Sequence, residues 1–252
     1  MKKSRMSVSQ VLGELLLTAG VVLLLFAFYE SYWTNIESGQ LQAQASEKLE
    51  EDWVNPRGRV QPQLGEAFAR MYIPSFGGDY QFAIVEGTED EDLLAGPGRY
   101  VESQMPGEKG NFAVAGHRVG KGAPFNDLGH LRTCDAIVVE TRTQWITYRV
   151  LPINGEPADC LSPEQQAKLS GEYAGVVGRH ITLPGDVAVI NPVPGGDPAP
   201  ADDGPVAASE GMITLTTCHP QFSNAERMII HAMETEQLDK ADNPRPAVLE
   251  ES

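Results

Sequence analysis

The chain has 252 residues, enough for one folded domain of ordinary size with appendages. It carries 35 acidic against 19 basic residues, a formal net charge of −16. A surface that acidic repels phosphates, and no basic stripe opposes it, so nucleic acid is excluded as a partner.

In chain order, the first element is basic. MKKSR supplies Lys2, Lys3 and Arg5. The apolar run VLGELLLTAGVVLLLFAFY follows at 11–29, with Glu14 as its only charge. As a helix it spans about 28 Å, close to the hydrocarbon thickness of a bilayer. Residues 11–30 therefore read as an uncleaved transmembrane anchor behind a short cytoplasmic segment, 1–10. Basic residues before the span and Glu30, Glu37 and Glu47 after it orient the N-terminus to the cytoplasm and the remainder outside. The rival reading is a cleaved signal peptide using the Ala-x-Ala pattern of AQAS at 43–46. That site lies far beyond the apolar run, and the run itself is long for a signal core.

Residues 31–65 read as a polar extracellular stalk, with a helix through Leu41 to Trp53 that breaks at Asn55-Pro56. From Glu66 the texture changes. MYIPSF, YQFAIVEG, NFAVAGH, DAIVVETR, QWITYRVLPI, RHITLPG, MITLTTCH and RMIIHAM are short, β-branched and separated by Gly, Pro, Asn and Asp. This predicts an all-β sandwich or barrel over 66–236, with a hairpin around Thr141 to Thr143. SPEQQAKLS is the one short helical candidate, with Ser162 as cap and Pro163 in first position. Residues 191–211, rich in Pro, Gly, Ala and Asp, predict a long flexible surface loop. The acidic tail, 237–252, predicts disorder.

The chemistry centres on TLTTCHP, 214–220. The chain has three cysteines, Cys134, Cys160 and Cys218. Thiols outside the cell tend to pair, and an odd count leaves one over. Cys218 ends a strand before a proline, where a side chain can face a cleft while a rigid sheet holds it. The bland reading is three unrelated buried cysteines. If Cys218 is a nucleophile, His219 is not its base, because adjacent strand residues point to opposite faces. The base then comes from His117, His130, His180 or His231. His117 is the best placed, since it ends NFAVAGH at another strand-to-loop junction. Arg227 heads the strand after Cys218, and a hairpin would bring it back alongside. There its guanidinium can hold a carbonyl and favour a thiolate. The bland reading of Arg227 is a solvated edge residue. Cys134 and Cys160 flank the hairpin at 135–153, and a disulfide between them is one outcome. Pairing of either with Cys218 would end the nucleophile reading. The acidic run EDED at 89–92 is read as a solvated loop in preference to a calcium site, and no metal or cofactor is expected.

These residues resemble the sortases, membrane-anchored cysteine transpeptidases of Gram-positive bacteria. TLTTC matches the family's Thr-Leu-x-Thr-Cys strand, the arginine nine residues on matches as well, and FAVAGHR at 112–118 matches the segment ending in the catalytic histidine. YIPSF at 72–76 and VEGTEDEDLLAGPGRY at 85–100 resemble the opening strands and the loop that follows. The resemblance covers about 66–234. It implies a closed sortase-type β-barrel of about eight strands with short helices, preceded by one N-terminal transmembrane helix. It implies Cys218 as nucleophile, His117 as acid/base and Arg227 as carbonyl and oxyanion stabiliser, with Thr217 near the substrate and only a minor thiolate–imidazolium population. Cys-His-Pro, AGHR and GPGRY resemble class E, in which a tyrosine after the Gly-Pro-Gly turn is linked to alanine over proline in the sorting signal. Tyr100 stands there, which implies Leu-Ala-x-Thr-Gly as the signal. The implied partners are secreted proteins bearing that signal and a peptidoglycan precursor amine, lipid-linked or free, at the cell membrane. The alternatives are a cysteine hydrolase of the same fold, a pilus-related sortase, and a non-enzymatic membrane-tethered binding domain.

Overall fold

The computed structural model describes residues 7–55, 61–199, 207–242 and 245–251. The basic residues at 2–5, Pro56 and the middle of the 191–211 segment lie outside these.

Helix α1 runs Val8–Phe28, capped by Ser7, whose side chain accepts from the Gln10 amide. It is about 31 Å long by helix rise, and none of its residues is buried. Among the described residues it is the one helix long and apolar enough to cross a membrane. A π-helical turn, Tyr29–Trp33, carries the path on without a break into helix α2, Thr34–Val54. The helix expected from Leu41 thus starts earlier, and it does not stand free. Leu49, Ala45 and Trp53 of α2 pack on Ala67, Ala83 and Val85 of the barrel. Small residues at 67 and 83 leave room for that approach, and none of the alternation rules for strands reveals it.

Nine strands follow: β1 Ala67–Tyr72, β2 Gln81–Glu86, β3 Gly98–Arg99, β4 Gly110–Ala115, β5 Ala136–Glu140, β6 Gln144–Val150, β7 Arg179–Thr182, β8 Gly211–His219 and β9 Glu226–Asp239. Their order is β6-β5-β1-β2-β3-β4-β8-β9-β7, and a further β6–β9 pairing closes eight of them into a barrel. The closed barrel implied by the resemblance is what the chain builds. Phe112, Val114, Ile137, Val139, Ile146, Tyr148, Ile213, Leu215 and Ile230 fill its interior. β5 and β6 meet at the expected hairpin, where the Thr141 amide donates to the Gln144 carbonyl at 2.8 Å. The short helix α4, Pro163–Lys168, carries the Ser162 cap and the first-position proline as expected.

Three features depart from the sequence reading. EDED is not a loop but the start of a helix, α3, Asp90–Ala95, with a reciprocal cap between Glu89 and Asp92. The root of the 191–211 segment is not free either. Pro192 and Pro194 are buried, and the Asn111 side-chain amide donates to the Val189 and Asn191 carbonyls at 3.2 and 3.0 Å.

The third departure is the acidic tail, which is ordered at 245–251. β5 is buried on both faces, and its outer face with Trp145 needs a cover. Val248 and Leu249 supply it, burial worth roughly 3–6 kcal/mol in transfer terms. Arg149 holds Glu251 through two bonds of 2.6 and 2.8 Å.

Cys134 and Cys160 form a disulfide across the β5–β6 hairpin, with Cα atoms 5.7 Å apart and a sequence separation of 26. Closing a loop of that size restricts the unfolded chain. Replacing both cysteines with serine is expected to lower the unfolding free energy by about 3 kcal/mol, measured by denaturant titration.

Candidate active site

The site is a consequence of strand register. β4 and β8 run parallel, from Gly110 opposite Gly211 to Ala115 opposite Thr216. The Gly116 amide continues the ladder to the Thr216 carbonyl at 3.0 Å. Carried on, the same register sets His117 level with Cys218. On the other flank β8 and β9 are antiparallel, and Cys218 pairs directly with Arg227. Residues level with each other on neighbouring strands share a face. Val114, Leu215 and Met228 point into the core, so alternation sends His117, Cys218 and Arg227 to the outer face together.

Each member is held by its surroundings. The His117 carbonyl accepts from the Phe125 amide at 3.0 Å. Gly116 before it has no room for a side chain, since a Cβ would come within 2.5 Å of the Phe125 ring. His117 is half-buried, and its Nε2 is buried with no hydrogen-bond partner among the described residues. Burial pushes its pKa below the ordinary imidazole value, Lys121 pushes it further, and Asp90 opposes them. Its unpartnered Nε2 is a nitrogen free for proton transfer. Cys218 is the free thiol, and its Sγ donates to Asn224 Oδ1 at 3.4 Å. Arg227 Nη1 donates to the Glu226 carbonyl at 3.0 Å and the Asn224 carbonyl at 3.5 Å. Those are uncharged partners, so its charge stays available to an oxyanion forming on this face.

Tyr100 is presented by a buried pair. Arg99 grips Glu86 with bonds of 2.8 and 2.7 Å and also donates to the Ser103 carbonyl. The Tyr100 amide donates to the Ala113 carbonyl at 3.0 Å, and its phenol shares a hydrogen bond of 2.9 Å with the Thr216 hydroxyl. Thr216 lies two residues before Cys218, hence on the same face. Thr217 lies on the other. It is buried, and its hydroxyl donates to the Gly116 carbonyl at 2.7 Å. Its side chain ties the strand that carries the cysteine to the backbone just before His117.

The family model described as "Sortase: Sortase domain" matches residues 71–235. The chain belongs to the sortase family. It is 60% identical to the SrtF sortase from Corynebacterium diphtheriae, with a TM-score of 0.71 over 79% of this chain and 98% of that one. It is 33% identical to sortase E from Streptomyces avermitilis, with a TM-score of 0.54 over 74% of this chain and 99% of that one. Among curated proteins it is 31% identical to Sortase SrtE1 of Streptomyces coelicolor over 96% of this chain, and it spans 61% of that protein's length. Within the family the chain falls in class E.

The other histidines of this sortase sit elsewhere. His231 is fully buried, bonded to the Thr214 hydroxyl at 2.8 Å, and burial lowers its pKa to about 3. His180 packs against it with ring centroids 5.4 Å apart. His130 is exposed beside Asp127. His219 faces away from Cys218, and its Nδ1 accepts from Arg118 Nη1 at 2.7 Å. Sequence reasoning missed Arg118 and Asn224. Arg118 also reaches the Cys218 carbonyl at 3.3 Å, tying the histidine loop to the end of β8. Both residues sit in polar loops, and only the fold brings Arg118 to the end of β8 and Asn224 to the thiol. A cavity of about 530 Å³ lies between α2 and the β5–β6 turn, lined by Trp53, Phe68, Met105 and Arg142. It contains none of these site residues.

Proposed function

We propose that this sortase is a membrane-anchored cysteine transpeptidase. It cleaves the Thr-Gly bond of a Leu-Ala-x-Thr-Gly sorting signal on secreted proteins and joins the acyl group to a peptidoglycan precursor amine. The observation that carries the reading is the single row of His117, Cys218 and Arg227 across three strand ends. α1 serves as the anchor, with the N-terminus in the cytoplasm and the barrel outside.

In the first half-reaction, the Cys218 proton passes to His117 and the sulfur attacks the threonine carbonyl. Arg227 stabilises the oxygen as it takes up negative charge. The C–N bond breaks, His117 returns the proton to the glycine nitrogen, and a thioester remains. In the second, the acceptor amine attacks the thioester, His117 takes its proton, and the thiolate departs to be reprotonated. Tyr100, on the floor of the same face, chooses alanine over proline next to the leucine of the signal.

The test uses the full chain in detergent with a Leu-Ala-x-Thr-Gly peptide and an excess of a small amine, read by mass spectrometry. Product cut after threonine and bonded to the amine is the expected result. Product bearing only a free carboxylate would favour the hydrolase. Tyr100→Ala is expected to raise the use of a proline-containing signal relative to the alanine one by roughly fivefold, the worth of one hydrogen bond. An unchanged ratio would remove Tyr100 from specificity.

The pH dependence has a defined sign. Protonation of His117 ends activity, and burial and Lys121 make that protonation hard. Loss of the Lys121 charge makes imidazolium easier to form. Lys121→Gln is therefore expected to move the acid limb of kcat/KM to higher pH, with little change at the alkaline side. A limb that stays in place would separate it from His117.

A further inference from the structure

The membrane helix runs into the site's own rim. Asn35, in the first turn of α2, accepts at Oδ1 from the Gly122 amide at 3.0 Å. Ser38 and Gln42 close over Gly122, where a Cβ would meet Gln42 Nε2 at 2.3 Å and where φ is +76°. Gly122 belongs to the loop that leaves His117. That loop is tied in turn to the β8–β9 turn, for Gln221 Nε2 donates to Asn126 Oδ1 at 2.8 Å. The two segments form one rim next to His117 and Cys218. Asn35 stands seven residues beyond Phe28, the last residue of α1. Along a helix that is about 10 Å.

The make-up of the rim matches that position. Residues 117–126, HRVGKGAPFN, and 219–225, HPQFSNA, include Arg118 and Lys121 and no carboxylate. Asp127 and Glu226 bound them, on a chain whose net charge is −16. Phe222, in the β8–β9 turn, is 88% exposed. Tyr29, Tyr32 and Trp33 are also exposed where α1 gives way to α2, as aromatic residues are at a bilayer interface. A bare phenylalanine on a rim whose own two segments carry cations and no carboxylate, with Asp90 and Asp127 beyond its edge, suits an anionic headgroup layer.

We propose that this rim rests on the bilayer surface with Phe222 in the interface, so that Cys218 works at headgroup level. The proposal rests on the reading of α1 as an anchor. It gives α2 the role of a strut that fixes which end of the barrel meets the membrane. Acyl donors and acceptors held in the same plane would then reach the thiol without leaving the surface.

The full chain carrying Cys218→Ala has no free thiol among its cysteines, because Cys134 and Cys160 are paired. In that background Leu17→Cys, Thr143→Cys and Phe222→Cys, all at exposed positions, accept an environment-sensitive fluorophore. The labelled proteins are placed in vesicles of phosphatidylcholine and phosphatidylglycerol with brominated acyl chains. Labels at 17 and 222 are expected to be quenched about twofold, and the label at 143 to be unaffected. Quenching at 17 with position 222 behaving like 143 overturns the rim proposal and leaves the anchor standing. No quenching at 17 overturns both. Equal quenching at 143 and 222 also overturns the proposal, because no one end of the barrel would then be favoured.

Discussion

Cys218→Ser is expected to lower kcat/KM for amine-dependent transfer by about 10⁴-fold or more. The change replaces one atom, and the side chain is only half-buried, so unfolding free energy should stay within about 0.5 kcal/mol of the parent. The loss is chemical. A serine hydroxyl holds its proton far more tightly than a thiol, and the group that must take it, His117, is a weaker base than a free imidazole because of burial and Lys121. A hydroxyl therefore has neither the acidity nor the partner it needs. Retention of a tenth of the activity would mean that Cys218 is not the attacking group. Two thirds of the chain's cysteines already serve another purpose, since Cys134 and Cys160 are bonded to each other.

Arg227→Ala is expected to lower kcat by about 10²–10³-fold with a much smaller change in KM. Its guanidinium binds carbonyls of its own turn, at Glu226 and Asn224. Little stability therefore depends on it, and the lost interaction is one that strengthens only as the substrate oxygen gains charge. Arg227→Lys keeps the charge and loses the planar fork, so it should recover only part of the rate. A fall in KM-dependent binding alone, with kcat intact, would assign Arg227 to substrate docking and leave the oxyanion without a cation. The two variants test different atoms of the same step, and each has a stability control that a folding defect would fail.

The strands were legible because they follow from short-range rules. Alternation fixed which residues of TLTTCH face outward, and it set His219 aside before its bond to Arg118 was known. The placement of His117 and Arg227 beside Cys218 needed pairing partners, which one strand cannot announce. The packing of α2 on the barrel leaves little trace in the sequence because its buried face is narrow. Leu49, Trp53 and Ala45 lie among Gln and Glu residues, and the small residues that receive them, Ala67 and Ala83, look unremarkable in their own strands. The docking of the tail is hidden for a similar reason. Its composition is polar, yet Val248 and Leu249 answer an apolar outer face on β5 and β6 that only the closed barrel exposes. The resemblance implies Thr217 near the substrate, and the same alternation that sets His219 aside sends its hydroxyl inward to Gly116. Arg118 and Asn224 carry no pattern at all and become visible only through their contacts with the end of β8 and the thiol.

The most direct measurement is the mass of the enzyme itself during turnover. The full chain, mixed with a Leu-Ala-x-Thr-Gly peptide in the absence of amine and quenched in acid, should gain the mass of the peptide up to its threonine. Digestion should place that acyl group on Cys218, and an added amine should discharge it. An enzyme that turns over without acquiring the acyl group, or acquires it at another residue, would contradict the row of His117, Cys218 and Arg227 as the transpeptidase centre.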